Sequence, residues 1–346
     1  MTVKTPWYEC DSRFIAGHYQ PAALIDLAIS REIDTHRLLR GSGLFYDDIL
    51  AGEVRISPQQ FLVLIDNAQR LLDADDTSFL FGQRLLPGHY GAASQALQQA
   101  GNLQQALELL IEIRALFSPL LAPRLLLDEQ HAYLYWVDSS GAGPHWRFLV
   151  EACMTAVVAM ARWLSGQQLP WRFHFAHPQP RYVEQYWVHL GEDLHFDSQL
   201  DMLRLPREFM TAAWPNAAHT AGAVARQEAT RQLQGLGYQA SLLDRLYAWL
   251  QANVRQSPSL EQAAQAFEMS PATFKRKLQK HGTHYQEQHD RVRKHVALYL
   301  YRIKAYSNEE IADFLSFHDA TNFRRSFKRW TGLAPSALRQ LLDGLG

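Results

Sequence analysis

Basic, hydroxyl and amide side chains recur in similar order in two segments near the C-terminus, residues 270–280 and 319–329. Arginine and lysine neutralise phosphates, whereas amides and small side chains near the start of a helix can reach the edges of DNA bases. Each segment also holds two apolar residues four positions apart, the spacing of one buried helical face. The residue types therefore predict two helices that bind in the grooves of DNA.

The two segments are the ends of a longer repeated unit, which spans about residues 259–282 and 307–332. Its apolar positions keep identical spacings in both copies: five residues from Ala264 to Met269 and from Ala312 to Phe317, and four from Phe274 to Leu278 and from Phe323 to Phe327. Only the turn differs, by one residue. One copy alone could be an amphipathic helix with a merely solvated charged side, but two matched copies predict paired helix-turn-helix motifs.

The start of each second helix is marked by its sequence, and so is the segment that joins the copies. Ser270 and Pro271 supply an N-cap and a proline in the first turn, and Asp319 is the predicted cap of the other copy. Residues 283–304 contain no Gly or Pro and predict a connecting helix of 22 residues, about 33 Å long. One turn of B-DNA is about 34 Å, so the two motifs could enter successive major grooves.

The outward side of each second helix supplies the predicted DNA contacts. An amide such as that of Asn322 can pair with adenine through both of its polar atoms, and cations late in a helix suit phosphates. The predicted contacts of the first copy are Ala272, Thr273, Lys275, Arg276, Gln279 and Lys280. Those of the second are Ala320, Thr321, Asn322, Arg324, Arg325, Lys328 and Arg329. The expected phosphate contacts among them are Lys280, Lys328 and Arg329.

Charge is divided between the two parts of the 346-residue chain. The formal net charge is -1, but residues 241–346 hold 16 Lys and Arg against 10 Asp and Glu, a net of +6, which leaves -7 for residues 1–240. A basic part beside an acidic part is expected when only one of them meets phosphates. We therefore expect a regulatory domain at 1–215, a linker at 216–240 that is rich in Ala, Gln and Gly and consists of a helix and a flexible joint, and a DNA-binding domain at 241–346.

The first part of the chain predicts an α+β domain with helices and a small antiparallel sheet. Helices are expected from Pro21, from Ser57 and Pro58, and at 76–86, 92–99 and 102–116. Further along, the sequence predicts a β-hairpin at 124–137, a long apolar helix at about 145–165, and strands at 171–175 and within 194–204. The remainder from Ser241 predicts an all-α domain with the two helix-turn-helix motifs.

The composition argues against several classes of protein and site. Cys10 and Cys153 lie 143 positions apart without a CxxC pair, so neither a disulfide framework nor a zinc motif is predicted. The N-terminus lacks the apolar core of a signal peptide, and we expect no run to approach the ~18 to 20 apolar residues that a membrane span needs, so we expect a cytoplasmic protein without membrane contact. The signatures GxGxxG, GxxxxGK[ST], HExxH and GxSxG are absent, so no catalytic residue or cofactor is predicted.

Residues 241–340 resemble the DNA-binding domain of the AraC/XylS family of bacterial transcription regulators. Most of the resemblance lies in Glu310-Ile-Ala312, Leu315, Phe317, Asp319, Phe323, Arg325, Phe327-Lys-Arg-Trp-Thr-Gly332 and Ala334-Pro335. At two positions this chain departs from the family: Ser316 replaces a usual glycine, and Ala272 replaces a usual arginine of the first recognition helix. The first departure predicts a slightly altered turn, and the second leaves Arg276 as the main guanidinium of the first motif.

The order of motifs from about residue 10 onward resembles the so-called arabinose-binding domain of a subgroup of the same family, which includes the ornithine-utilisation regulator. The features concerned are Arg55-Ile-Ser-Pro58, Tyr90-Gly91, Asn102-Leu-Gln-Gln-Ala-Leu107, the hairpin and Phe175-Ala-His-Pro178. That domain is not the sugar-binding barrel of the family's namesake, so its name does not argue for arabinose. The resemblance implies a regulator, more often an activator than a repressor, that acts with RNA polymerase under a small-molecule effector.

Aromatic residues of the predicted sheet and of the helix beside it are the candidates for the effector site, although aromatic residues in strands are more often core. Arg147 and Arg172 could hold a carboxylate. A metal site at His174 and His177 is not predicted, because no Cys or acidic partner completes it. The predicted ligand-binding residues are Tyr133, Tyr135, Trp136, Trp146, Arg147, Trp171, Phe173 and Phe175.

The favoured hypothesis is a transcription regulator that binds double-stranded promoter DNA through its basic part and a metabolite through its acidic part, which could also form a homodimer. The alternative is a small-molecule or lipid-binding or processing protein with a nonspecific nucleic-acid-binding tail. DNA binding by such a tail would fall steeply with salt and show little preference among sequences. A third hypothesis, a protein-interaction scaffold, predicts that residues 241–346 have no affinity for DNA.

Overall fold

The computed structural model describes residues 7–335, and the chain divides after Leu242 into two compact units. We call them the N-terminal unit and the C-terminal unit. The segment 216–240, which the sequence predicts as a linker, is mostly helix in the structure and lies within the N-terminal unit. Its Ala225, Ala229 and Leu233 are buried, because one side of this helix packs on the rest of the unit.

Three helices of the N-terminal unit begin at side-chain caps, which are supplied by Asp34, Ser57 and Asn102. The Ser57 hydroxyl accepts the Gln60 backbone N–H, and the Gln60 side chain accepts the Ser57 N–H, which forms a capping box. The bounds are α1 (Gln20–Ile29), α2 (Thr35–Leu38), α3 (Tyr46–Leu50), α4 (Pro58–Leu72), α5 (Thr77–Leu85), α6 (Ala92–Gln98), α7 (Leu103–Glu112), α8 (Arg114–Phe117), α9 (Trp146–Ser165), α10 (Val183–His189) and α11 (His219–Leu236).

The strands of this unit form a two-stranded and a five-stranded sheet. The small sheet pairs β1 (Ile15–Ala16) with β2 (Arg55–Ile56), and the larger one has the order β3-β4-β7-β5-β6. Its members are β3 (Leu121–Leu127), β4 (His131–Asp138), β5 (Arg172–His174), β6 (Leu194–His195) and β7 (Met202–Pro206). The pairing is antiparallel except between β5 and β6, because the chain returns through α10 before β6 and so runs in the same direction.

The hairpin between β3 and β4 lacks an Asn-Gly turn, and an aspartate takes its place. The Asp128 carboxylate accepts the backbone N–H groups of Gln130 and His131 at 2.8 and 2.6 Å. An aspartate that bonds to the backbone two residues on closes an Asx-turn, which needs no glycine. The predicted fold class, an α+β domain followed by a helical domain, is confirmed.

Helix α9 is the central helix of the N-terminal core. Residues Gly143–Ser165 are long and apolar enough to cross a membrane, but 67% of the apolar 18-residue window within them is buried inside the protein. The expectation that no run has this length and hydropathy was therefore wrong. The burial of residues such as Met154, Val157 and Met160 identifies the stretch as a core helix, which needs the same apolar composition as a membrane span.

Helices α5 and α9 approach so closely that one position between them admits only glycine. A Cβ atom on Gly82 would lie 2.5 Å from the Ala152 carbonyl oxygen and 2.8 Å from the Thr155 Cβ atom. Both neighbours belong to the middle of α9 and cannot move without shifting that helix. The crossing of α5 over α9 thus depends on the absence of a side chain at residue 82.

We expect Gly82→Ala to lower the free energy of unfolding of the N-terminal unit by about 1–3 kcal/mol, because the added methyl group overpacks the helix crossing. The matched control is Gly235→Ala in α11, where an added Cβ would meet nothing within 4 Å. That change should be neutral or stabilising by up to about 1 kcal/mol, since alanine favours a helix over glycine. Urea unfolding of the two variants measures the difference, and equal stabilities would contradict it.

Within residues 243–335 the C-terminal unit is helical. Its elements are α12 (Leu242–Ala252), α13 (Leu260–Ala266), α14 (Pro271–Lys280), α15 (Tyr285–Arg302), α16 (Asn308–Phe314) and α17 (Ala320–Thr331). The predicted connecting helix of 22 residues is too long, because α15 has 18 residues and extends about 27 Å. Gly282 in the left-handed region and an extended His284 delay its start, and Ala305, also left-handed, follows its end.

Candidate nucleic-acid interface

Four local caps define the two helix-turn-helix motifs. The first helix of each motif begins with a capping box, formed by Ser259 with Gln262 in α13 and by Ser307 with Glu310 in α16. The second helices begin where the Ser270 hydroxyl accepts the Thr273 N–H and where the Asp319 carboxylate accepts the Asn322 N–H. Both predicted caps of the second helices are confirmed. Caps of this kind satisfy backbone donors that the helix itself leaves unpaired.

The turns of the two motifs are built in the same way despite their different lengths. In the first, the Met269 N–H donates to the Ala264 carbonyl at 2.9 Å, and in the second the Phe317 N–H donates to the Ala312 carbonyl at 2.8 Å. The residue before each donor is left-handed, with φ of 55° at Glu268 and 56° at Ser316. Glycine adopts this conformation at the lowest cost, which explains why a glycine is usual where Ser316 stands.

The serine at this position has a compensating contact. The Ser316 hydroxyl donates to the Arg255 backbone carbonyl, and the Arg255 guanidinium lies 4.2 Å from the centre of the Phe314 ring. A glycine could not make the first of these bonds. The second motif is therefore tied to the segment that follows α12 through both the side chain and the backbone of Arg255.

The inward residues of both second helices are fully buried. Phe274, Leu278, Phe323 and Phe327 each have 0% exposure, as their four-residue spacing predicts. The Phe323 and Phe327 rings lie 5.6 Å apart, and Tyr301 of α15 contacts Phe327 at 5.3 Å. Burial of these rings fixes which side of each second helix faces outward.

The outward side presents the predicted DNA contacts in both helices. Eleven of the thirteen are exposed: Ala272, Lys275, Arg276, Gln279, Lys280, Thr321, Asn322, Arg324, Arg325, Lys328 and Arg329. Thr273 and Ala320 are half-buried. Helices α14 and α17 each contain four cations and no acidic residue. The exposed side of each second helix is consequently cationic along its length.

Several of these side chains are oriented by neighbours. The Asn322 amide donates to the Asp319 carboxylate at 3.2 Å, and the Arg324 guanidinium donates to the Thr321 hydroxyl at 3.2 Å. Arg329 forms an ion pair with Asp290 of α15 at 3.0 Å. The end of α17 is thereby bound to the connecting helix, which the sequence pattern did not indicate.

Arg293 of α15 is a residue that the sequence analysis missed. Its side chain is buried, donates to the Leu315 carbonyl, and places its guanidinium 4.0 Å from the centre of the Phe317 ring. Burial lowers the pKa of Arg293 to about 10, so it stays protonated at neutral pH. Leu315 and Phe317 flank Ser316, so Arg293 holds the turn of the second motif against the connecting helix.

We expect Arg293→Met to lower the free energy of unfolding of the C-terminal unit by about 2 kcal/mol, because the Leu315 carbonyl loses a charged donor and the Phe317 ring loses its cation. The matched control is Arg291→Met, which removes a partly exposed ion pair with Glu287 and should cost less than about 1 kcal/mol. Chemical denaturation distinguishes the two, and equal losses would contradict a holding role for Arg293.

His289 lies one turn before Arg293 and is buried without a hydrogen-bond partner for its Nε2 atom within residues 7–335. Burial, followed by the repulsion of Arg293, lowers the pKa of His289 to about 4. The unfolded chain therefore takes up a proton near pH 6.5 that the folded unit does not accept until about pH 4. This histidine contributes to stability above about pH 6.5, and the contribution is lost as the pH falls toward 4.

We expect the C-terminal unit to lose up to about 2 kcal/mol through His289 between pH 7 and pH 5, and His289→Gln to remove that part of the pH dependence. His284→Gln is the control, since His284 is 71% exposed at its side chain. The free energy of unfolding is measured at both pH values by urea titration, with hydrogen exchange of the α15 backbone amides as the probe. An unchanged pH dependence in His289→Gln would contradict the assignment.

Most of the predicted ligand-binding residues belong to the core of the N-terminal unit. Trp136, Phe173 and Phe175 are at most 1% exposed, and Tyr133 and Trp171 are also buried. Tyr135 and Trp146 are half-buried, and the Trp146 indole donates to Asp201 at 2.8 Å. A ligand-binding role for this set stays a prediction, and the burial of its members is what core aromatic residues also show.

Arg147 belongs instead to a buried polar network around Glu151 of α9. Its Nε donates to the Glu151 carboxylate at 2.9 Å, and the Ser78 and Tyr186 hydroxyls donate to the same carboxylate. Burial and the Glu151 charge raise the pKa of Tyr186 far above its usual range, so its hydroxyl stays a donor. The arrangement leaves Glu151 fully paired without any ligand. Within residues 7–335 no group of three or more residues is placed to hold a metal ion.

Comparison with known proteins assigns both units. Residues 33–213 match the family described as the arabinose-binding domain of AraC transcription regulators, N-terminal, and residues 263–341 match a helix-turn-helix domain. The chain belongs to the AraC family of transcription regulators. As an AraC-family regulator it carries the family's N-terminal ligand-binding domain and a DNA-binding domain.

Two curated relatives of this AraC-family protein come from Pseudomonas aeruginosa. The ornithine utilization regulator is 29% identical over 319 residues, which cover 92% of this chain and 94% of that protein. The HTH-type transcriptional regulator VqsM is 31% identical over 98 residues, 28% of this chain and 30% of that one. Among solved structures, the transcriptional regulator CdpR from Pseudomonas aeruginosa is 22% identical, covers 93% of this chain and 98% of its own, and gives a TM-score of 0.43.

Proposed function

We propose that this AraC-family regulator activates transcription by placing α14 and α17 in the major groove of promoter DNA. The observation that carries the proposal is the equivalent construction of the two helices, each with a buried apolar pair, four cations and no acidic residue. Asn322 and Arg325 of α17 would contact base edges, and Arg276 would be the main guanidinium of α14. The remaining cations would contact phosphates and add affinity without sequence preference.

The N-terminal unit would be the sensor in this scheme. Its effector would be a small metabolite, and the relative named for ornithine utilization makes amino acids the first candidates to test. The unit could also form the homodimer, and the activated protein would recruit RNA polymerase. The working division of the chain is a regulatory domain at 1–215, a linking segment at 216–240 and a DNA-binding domain at 241–346, active in the cytoplasm.

We expect Asn322→Ala and Arg325→Ala each to weaken binding to the specific promoter site by about 1–3 kcal/mol and to leave nonspecific binding nearly unchanged, because each removes a base contact. Lys328→Ala should weaken specific and nonspecific binding alike and reduce the salt slope by about one. Gel-shift titrations at several salt concentrations, with specific and scrambled DNA, measure these effects.

The control for this series is Lys304→Ala, which removes an exposed cation outside the two second helices. It should change neither the specific affinity nor the preference for the specific site. If wild-type protein binds specific and scrambled DNA equally, with the same steep salt dependence, the nonspecific-tail alternative is correct and the promoter-binding proposal is wrong.

A further inference from the structure

A groove of about 580 Å³ lies on the N-terminal unit among α1, α5, the segment 86–90 and the C-terminal half of α9. Clefts that bind small molecules commonly enclose about 300–1,000 Å³. No sequence pattern predicts this groove, and none of the predicted ligand-binding residues lines it. Residues central to its lining are His18, Tyr19, Asp26, Arg84, Leu86 and Trp163.

One acid and one base face this groove without partners of their own. Asp26 extends from α1 and Arg84 from the last turn of α5, and both are exposed. Neither side chain forms a hydrogen bond or an ion pair with any residue in 7–335. The groove lining also includes Tyr19, Leu86 and Trp163, and Trp163 is 60% exposed. Unpaired opposite charges beside exposed aromatic surface suit a ligand with two opposite charges and an apolar part.

The wall of the groove between α5 and α6 is rigidly held. The Tyr90 hydroxyl donates to the Leu85 carbonyl at 2.8 Å, and the Ser94 hydroxyl donates to the Pro87 carbonyl at 2.6 Å while accepting the Tyr90 N–H at 2.7 Å. Tyr90 is buried and packs edge-to-face on Tyr19 at 5.1 Å. The wall is therefore formed before any ligand arrives, which reduces the ordering cost of binding.

A residue that lines the groove also contacts α11, the last helix of the N-terminal unit. The Tyr19 hydroxyl accepts a hydrogen bond from the Gln232 amide of α11 at 2.8 Å. Gln98 of α6, which lines the groove, belongs to the helix on which α11 packs most extensively. Because α11 directly precedes the C-terminal unit in the chain, a ligand that moves Tyr19 would change the support of that helix.

We propose that this groove is the effector site and that it takes a small metabolite carrying both an ammonium and a carboxylate group, an inference that rests on the proposed regulatory function. The ammonium pairs with Asp26, the carboxylate pairs with Arg84, and the apolar part lies against Tyr19 and Trp163. Tyr19 then transmits occupancy to α11 through its bond with Gln232. Charge-assisted hydrogen bonds to one acidic and one basic side chain give the site its selectivity for ligands that carry both charges.

The test is calorimetric titration of the full chain with the twenty proteinogenic L-amino acids and L-ornithine. For each compound that binds, the matching amine without the carboxylate and the matching acid without the ammonium are titrated as well. Asp26→Asn and Arg84→Gln should each raise the dissociation constant of the binding amino acid about tenfold or more. The controls are Asp48→Asn and Arg40→Gln, which change exposed residues outside the groove and should leave it unaltered.

The transmission step has its own variant. Gln232→Leu removes the amide that donates to the Tyr19 hydroxyl and changes no residue that lines the groove. Binding of the amino acid should stay within about twofold of wild type, whereas the ligand-dependent change in reporter transcription should be lost. A full transcriptional response in Gln232→Leu would overturn the assigned route to α11.

Three results would overturn the site itself: no amino acid in the panel binds, the amine or the acid binds as well as the amino acid, or Asp26→Asn and Arg84→Gln bind with wild-type affinity. Loss of binding in Arg147→Gln but not in Arg84→Gln would move the site to the network around Glu151. Gel-shift assays on the same protein separate this outcome from the proposed function. If the protein binds the promoter specifically but binds no amino acid, the proposed regulatory function holds and only the proposed effector site is wrong.

Discussion

The interaction on which the C-terminal unit depends is the burial of two apolar residues, four positions apart, in each second helix. Phe274 and Leu278 in α14, and Phe323 and Phe327 in α17, have no exposed surface. Once these side chains are buried, helical geometry directs the intervening cations to the opposite side. The cationic surface that would meet DNA is therefore a consequence of core packing, and contacts with Thr321 and Asp290 further orient Arg324 and Arg329.

Contacts with earlier elements of the C-terminal unit also hold the second motif in place. Arg293 bonds to the Leu315 carbonyl and stacks near Phe317, Asp290 holds Arg329, and Ser316 bonds to Arg255. These contacts all reach the turn or the end of α17 from elements earlier in the chain. A recognition helix that is held at both ends reads DNA with less conformational freedom to lose on binding.

The N-terminal unit is organised around α9, which packs against α5 at Gly82 and supplies Glu151 to a buried polar network. That network satisfies its own charges, whereas Asp26 and Arg84 in the groove are left without partners. Because of this contrast, the ligand proposal falls on the groove. The aromatic residues of the sheet belong to the core. Buried polar groups must be paired within the fold, and exposed unpaired charges are the ones available to a ligand.

Elements with local signals could be predicted from the amino-acid sequence. Spacing and caps were enough for the two motifs, for the start of α4 at Ser57 and for the outward set of residues that includes Arg276 and Asn322, because these depend on helical period and nearby hydrogen bonds. The length of α15, the parallel pairing of β5 with β6, the burial of the apolar helix α9 and the holding role of Arg293 depend on tertiary contacts and emerged from the structure alone. It also brought Asp26, Arg84 and Trp163 together from three helices. Contacts between residues far apart in the chain carry no periodic signal, so the sequence could not indicate them.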